Sequence, residues 1–201
     1  MDSTMKKIFI LTLFFILSFT NFNLAFSISP DVFIQSTVNR ASQVLSENIS
    51  KEEKIKKLKL IAMETVDIKG VGFYSLGAAR KDINDEQKIT YSNLFENYFL
   101  KSFSSRLAEY TNPEIEVKNK QILNDNYTIV NSILIATADR PEVKIDWRVY
   151  TKNSDNPLIR DLIIEGLSLA RTQKEEFTSI LNSNDGNINA LFKILEEFSN
   201  N

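Results

Sequence analysis

Apolar and polar residues along this chain follow a helical spacing in the first half and a strand-like alternation in the second. Pro30 suits a first helical turn, and Val32, Phe33, Val38, Ala41, Val44 and Leu45 recur after it at roughly helical spacing. Ser50 with Glu53 three residues on forms a capping-box pattern, which predicts a second helix starting there. Ile55, Leu58, Ile61, Ala62, Thr65 and Val66 give that helix its apolar stripe, and the Lys54 to Lys59 cluster falls mostly on its solvated face. A short helical segment is predicted over Val71 to Ala79. Asn84 or Asp85 then opens a long helix to about Tyr110, with Tyr91, Leu94, Phe95, Tyr98, Phe99, Phe103 and Leu107 along one side. Such a stripe ordinarily buries against a core. The alternative is that part of it lines a cavity.

Asn112-Pro113 ends the helix, because the residue before a proline is driven out of the helical region. The pattern then changes period. Ile115 to Ile122 reads as a strand, Asn124-Asp125-Asn126 as a turn, and Tyr127 to Ala138 as a long β-branched strand with both faces covered. Val143, Ile145, Trp147 and Val149 alternate with Lys144, Asp146, Arg148 and Tyr150, as in a half-buried strand. Leu158 to about Leu167 gives another strand, with Gly166 as a bulge or close backbone approach where strand becomes helix. Helices from about Ser168 to Leu181 and from Asn187 to Phe198 close the chain. The short connections imply an antiparallel meander. The fold class is therefore α+β, with helices packed against a curved antiparallel sheet of about four strands, an arrangement that can enclose an apolar pocket.

Composition narrows the chemistry. Cysteine and histidine are both absent, so thiol nucleophiles, Ser-His-Asp and Cys-His arrangements, disulfides and His- or Cys-based metal sites are all excluded. At the N-terminus, Lys6 and Lys7 precede an apolar run from Ile8 to Phe19, followed by small residues around Ala25 and Ser27. This is a secretory signal-peptide pattern, and the run is shorter than the roughly 20 residues that span a bilayer. Residues 1–27 are read as the signal peptide and 28–201 as one domain. Removing Asp2, Lys6 and Lys7 takes the net charge from −2 to −3, which gives no reason to expect nucleic-acid binding. No cofactor or metal is expected, and the balance favours binding over catalysis.

The remaining polar motifs each have a bland and a sharp reading. Asp161 and Glu165, four apart on an expected strand, would face the same side of the sheet. They are either a carboxylate pair for acid–base chemistry or acceptors of structural hydrogen bonds. Asp185, Asn187, Asn189 and Glu196 imitate part of a calcium loop, but Ala190 stands where that loop needs glycine, so turn and capping chemistry accounts for them better. Arg40, Arg80, Arg106 and Arg171 are candidates to hold an anionic group, with solvation as the default for each.

Asp161-(x3)-Glu165-Gly166-Leu167-Ser168 leading to Phe177 resembles the signature of the MlaC family. Leu76-Gly77-(x2)-Arg80, the Asp85-Glu86-Gln87 helix start and the Leu107-(x2)-Tyr110 end are similar to segments of that family, as is the order of elements. Two positions depart from it: Leu158 stands near where the family often has Trp, and Lys174 where it often has Arg. The resemblance implies a Gram-negative periplasmic carrier that is not an enzyme. It implies phospholipid as cargo, exchanged with an inner-membrane MCE-domain ABC transporter complex and an outer-membrane lipoprotein–porin complex. The expected pocket wall is Leu76, Phe95, Phe99 and Phe103 from helices, with Ile133, Ile135, Trp147, Val149, Ile163 and Leu167 from strands. Trp147 has core packing as its alternative. Another apolar ligand such as a hopanoid lipid, an enzyme built on Asp161 and Glu165, and an assembly protein are the competing readings.

Overall fold

The computed structural model describes residues 27–110, 112–138 and 140–200. The expected signal peptide, save its last residue, lies outside the described residues. Helices α1 (Pro30–Ser46) and α2 (Lys51–Thr65) come first, and the Ser50–Glu53 capping box is present in both directions. Helix α3 (Ile68–Ser75) starts three residues earlier than the apolar spacing suggests, because the Asp67 carboxylate accepts from Gly70 N–H at 2.9 Å and caps it. Gly77, with φ 61°, breaks the helix into a 3₁₀ turn over Gly77–Lys81. Helix α4 (Asp85–Leu107) opens on a capping box made by Asn84 and Gln87.

Five strands follow: β1 (Ile115–Asn124), β2 (Tyr127–Leu134), β3 (Val143–Tyr150), β4 (Leu158–Ile164) and β5 (Leu167–Ser168). They pair in sequence order, every pair antiparallel. Helices α5 (Leu169–Asn182) and α6 (Ile188–Asn200) complete the chain. The architecture is thus α+β, as expected, with two local corrections. Strand β2 stops at Leu134 rather than Ala138. The strand expected to run through to Leu167 is instead a hairpin: Glu165 (φ 49°) and Gly166 (φ 83°) are consecutive left-handed residues, which reverse the chain as a primed two-residue turn does. Gly166 serves this turn and not a close approach, since a Cβ there would meet nothing within 4 Å.

A bulge gives β4 its bend. Arg148 pairs with Asp161 and Val149 with Ile159, leaving Arg160 as the extra residue. Beyond it, Val66 makes a parallel bridge to Ile159, and Asp67 N–H donates to Ile159 O at 2.9 Å. The corner between α2 and α3 therefore docks on the stretch of β4 that β5 does not reach.

Three apolar clusters hold these layers together. On one face of the sheet, Val130, Leu134, Ile145, Trp147 and Val149 pack with Ile34 and Val38 of α1. A second cluster joins α3, α4, α5 and α6 through Leu76, Tyr91, Phe95, Phe177, Leu191 and Leu195. A third, Val44, Leu45, Leu58 and Ile61, ties α1 to α2. Val66 packs against both of the first two clusters, at the seam where sheet meets helices.

Candidate functional site

At that seam the two main clusters part. A cavity of about 680 Å³ lies between β4 and helices α4, α5 and α6, within the roughly 300–1,000 Å³ range of ligand pockets. Its apolar wall is built by Val66, Val71, Phe95, Phe99 and Phe103 on one side and by Ile159, Leu162, Leu169, Ala170, Ile194 and Phe198 on the others.

The aromatic ladder follows from helical spacing. Phe95, Phe99 and Phe103 are four apart on α4, so they stand above one another. Phe95 stacks on Phe99 at 6.2 Å and Phe99 on Phe103 at 5.5 Å, with interplanar angles of 24° and 10°. The inner end of the ladder is core. Phe95 is 2% exposed and meets the edge of Phe177 at 6.2 Å. A Cβ on Gly72 would lie 2.7 Å from its ring, so only glycine lets α3 approach α4 this closely. Tyr91 O–H donates to Gly72 O at 2.8 Å in the same place, and burial pushes the Tyr91 phenol far above its usual pKa. Phe99 and Phe103 at the outer end are only partly buried.

Two charged residues in the wall are satisfied by protein partners. Arg160, the bulge residue, donates from Nε to Asp67 Oδ2 at 2.6 Å and from Nη1 to Tyr127 OH at 2.7 Å, and its guanidinium lies 3.9 Å over the Tyr150 ring. Burial opposes its charge, but the bonds to Tyr127 and Asp67 outweigh it and raise the pKa, so the group stays protonated. Asp161 accepts from Ser168 O–H at 2.6 Å and from Ala170 N–H at 3.0 Å, while Ser168 Oγ accepts from Arg171 N–H at 3.1 Å. These bonds satisfy the first N–H groups of α5 and fix its start against β4.

Asp161 and Glu165 therefore do not form a carboxylate pair. Glu165 lies in the hairpin turn, where its carboxylate accepts from Lys144 N–H at 2.5 Å and its own N–H donates to Lys144 O at 3.0 Å. The imitation calcium loop is turn chemistry: Asp185 and Gly186 are left-handed, at φ 53° and 76°, and the Asn187 side chain accepts from Asn189 N–H at 3.1 Å.

Of the ten residues expected in the wall, the structure brings Phe95, Phe99 and Phe103 to this cavity. Leu76 is 2% exposed within the helical cluster. Trp147 and Val149 belong to the core between sheet and α1, where Trp147 Nε1–H donates to Ser132 Oγ at 2.9 Å. Ile133 and Ile163 alternate with the α1-facing residues, opposite Lys144 and Asp146, so strand parity turns them to the other face. Ile135 follows the end of β2, and Leu167 is 53% exposed in β5.

Wall residues that the sequence did not single out include Leu162, Ala170, Ile194, Gln173 and Glu176. Their signal was weak, since each sits on an otherwise ordinary amphipathic helix or strand. Of the four candidate arginines, Arg106 lies at the cavity. Arg40 pairs with Glu64 at 2.5 Å, Arg171 lies 3.9 Å from Glu175, and Arg80 sits on the 3₁₀ turn.

A family model described as MlaC protein matches residues 35–197. Among solved structures, a phospholipid-binding protein from Ralstonia solanacearum, determined in complex with a phospholipid, superposes with a TM-score of 0.73. The match covers 86% of this chain and 97% of that one at 17% sequence identity, a likeness of fold. No curated protein matches the chain.

Proposed function

The chain belongs to the MlaC family, and from that premise we propose that it is a periplasmic carrier that holds the acyl chains of a phospholipid in the cavity between β4 and helices α4, α5 and α6. Residues 28–201 form the lipid-binding domain on this reading, and residues 1–27 direct its export. Of the expected wall residues, Phe95, Phe99 and Phe103 contact the acyl chains. The partners are an inner-membrane MCE-domain ABC transporter complex and an outer-membrane lipoprotein–porin complex, and the exchange between them maintains the lipid asymmetry of the outer membrane. No bond is made or broken in this cycle.

The observation that carries the proposal is the wall itself: a stacked phenylalanine ladder opposite aliphatic residues, with Arg160 and Asp161 already engaged by protein partners. A ligand between the ladder and the aliphatic wall meets mainly apolar surface. The phospholipid held by the similarly folded Ralstonia solanacearum protein gives the ligand class. At about 0.8 kcal/mol per methylene, an acyl chain of about 14 methylenes costs roughly 11 kcal/mol to expose to water. A carrier must therefore cover nearly the whole chain. Transfer from bilayer to cavity exchanges one apolar medium for another, so its net free energy is small. That near-balance suits a protein that must release as well as bind, and leaves direction to the partners.

Native mass spectrometry of the mature protein, purified without detergent, is expected to show bound phospholipid. Delipidated protein is expected to take phospholipid from vesicles. A protein that emerges empty and stays empty after vesicle incubation overturns the proposal, and an extracted hopanoid would replace phospholipid with another apolar cargo.

A further inference from the structure

Two exposed side chains of opposite charge, Arg106 and Glu176, line the cavity mouth without an ionic partner among the described residues. Five ionisable side chains of Lys, Arg, Asp or Glu type line the cavity: Lys101, Arg106, Arg160, Asp161 and Glu176. Arg160 and Asp161 are engaged as described above. Lys101 Nζ–H donates to Phe198 O at 3.0 Å and lies 5.6 Å over the Phe198 ring, so its ammonium is held at the C-terminal turn of α6, although no carboxylate among the described residues neutralises it. Arg106 on α4 and Glu176 on α5 remain. Neither forms a salt bridge among the described residues, and both are exposed to solvent at the rim.

The two charges flank one polar junction. Tyr98 O–H donates to Gln173 Oε1 at 3.0 Å, and Gln173 Nε2–H donates to Glu176 Oε2 at 2.9 Å. Burial pushes the Tyr98 phenol up, the Glu176 charge adds to this and the Arg106 charge opposes it, as expected if both ionic groups lie close to the ring. Ser102 and Ser105 add hydroxyls to the lining beside Arg106. The mouth thus presents a guanidinium with neighbouring hydroxyls on one helix and a carboxylate on the facing helix.

We infer that this mouth selects a zwitterionic phospholipid head group, Arg106 facing the phosphate and Glu176 the ammonium. The inference rests on the carrier reading and deepens it. A head group bearing phosphate and a primary ammonium satisfies both charges. A glycerol head group is neutral beyond its phosphate, so it satisfies Arg106 alone and leaves the Glu176 carboxylate without a cationic partner. An exposed ion pair supplies a modest bias, about two- to fivefold in occupancy, and screening by salt weakens it.

Delipidated full-length mature protein is incubated with vesicles holding equal parts of ethanolamine- and glycerol-head-group phospholipids of matched acyl chains, and bound lipid is counted by native mass spectrometry. The expected result is an enrichment of the ethanolamine lipid of about two- to fivefold, abolished by Glu176→Gln and reversed by Glu176→Lys. Equal loading of both lipids by the natural protein, or a Glu176→Gln ratio unchanged from it, overturns the selectivity while leaving the carrier reading in place. Loading of neither lipid overturns the carrier reading and this inference together. Both variants change one exposed side chain, and circular dichroism of each verifies the fold.

Discussion

Asp161 is 6% exposed, and no salt bridge balances its charge among the described residues. Hydrogen bonds take the place of a counter-ion, as buried carboxylates require. The Ser168 hydroxyl and the Ala170 N–H both point at it, so the carboxylate acts as a clasp between β4 and the first turn of α5. Asp161→Ala is expected to cost about 1–3 kcal/mol, the penalty for leaving a buried donor unsatisfied. Asp161→Asn keeps an acceptor for Ala170 N–H and is expected to cost less than half as much. Urea denaturation of the two variants measures the difference. Asp161→Asn combined with Glu165→Gln should leave phospholipid loading from vesicles unchanged, because neither carboxylate is free to react. Loss of loading in a folded double variant would return these residues to a direct role.

At the scale of elements, the α2–α3 corner, β4 and the β2–β3 pair meet at Arg160. The bulge puts this side chain where one guanidinium reaches Asp67, Tyr127 and Tyr150 together. Lysine has the charge but neither the forked donors nor the flat face. Arg160→Ala is expected to cost about 2–3 kcal/mol, in the range of hydrogen bonds to charged groups, and Arg160→Lys to recover about half through Asp67. The Asp67 N–H, bonded to Ile159 O, should exchange with deuterium faster in Arg160→Ala than in the natural protein. Unchanged exchange there would mean that the corner is held by apolar packing alone.

The elements themselves were largely legible because local chemistry fixes them. Ser50 with Glu53 and Asn84 with Gln87 mark helix starts through bonds within a few residues. The β3 limits agree with the alternation of Val143, Ile145, Trp147 and Val149. The bulge at Arg160 was not legible, since a bulge is a relation to the partner strand and leaves no local mark in Leu158 to Ile164. The Glu165-Gly166 turn was missed for a related reason: Glu is an uncommon left-handed residue, so the pair lacks the strong signal of Asn-Gly or Asp-Gly.

At the scale of the molecule, the apolar stripe of α4 serves two purposes along its length, and periodicity alone could not divide them. Helical spacing brings Phe95, Phe99 and Phe103 to one side, but which end is roofed by core and which opens to a cavity depends on α3, α5 and α6. The strand residues expected in the wall are separated by parity and by layer: Ile133 and Ile163 face away from α1, and Trp147 and Val149 are taken up by it. The division of α4 predicts a dissociation between stability and cargo. Phe95→Ala removes a ring packed against Tyr91, Tyr98 and Phe177, and is expected to cost about 3–5 kcal/mol. While folded, it should still load phospholipid, because it enlarges the apolar space at the inner end. Phe103→Asp acts on a half-buried position and is expected to cost only about 1–2 kcal/mol. It places an ionised group beside the cargo, however, and should cut phospholipid loading by roughly tenfold or more. Thermal denaturation and native mass spectrometry on the same two preparations test the contrast. Parallel losses of stability and loading in both variants would mean that the whole ladder is core and that the cargo lies elsewhere.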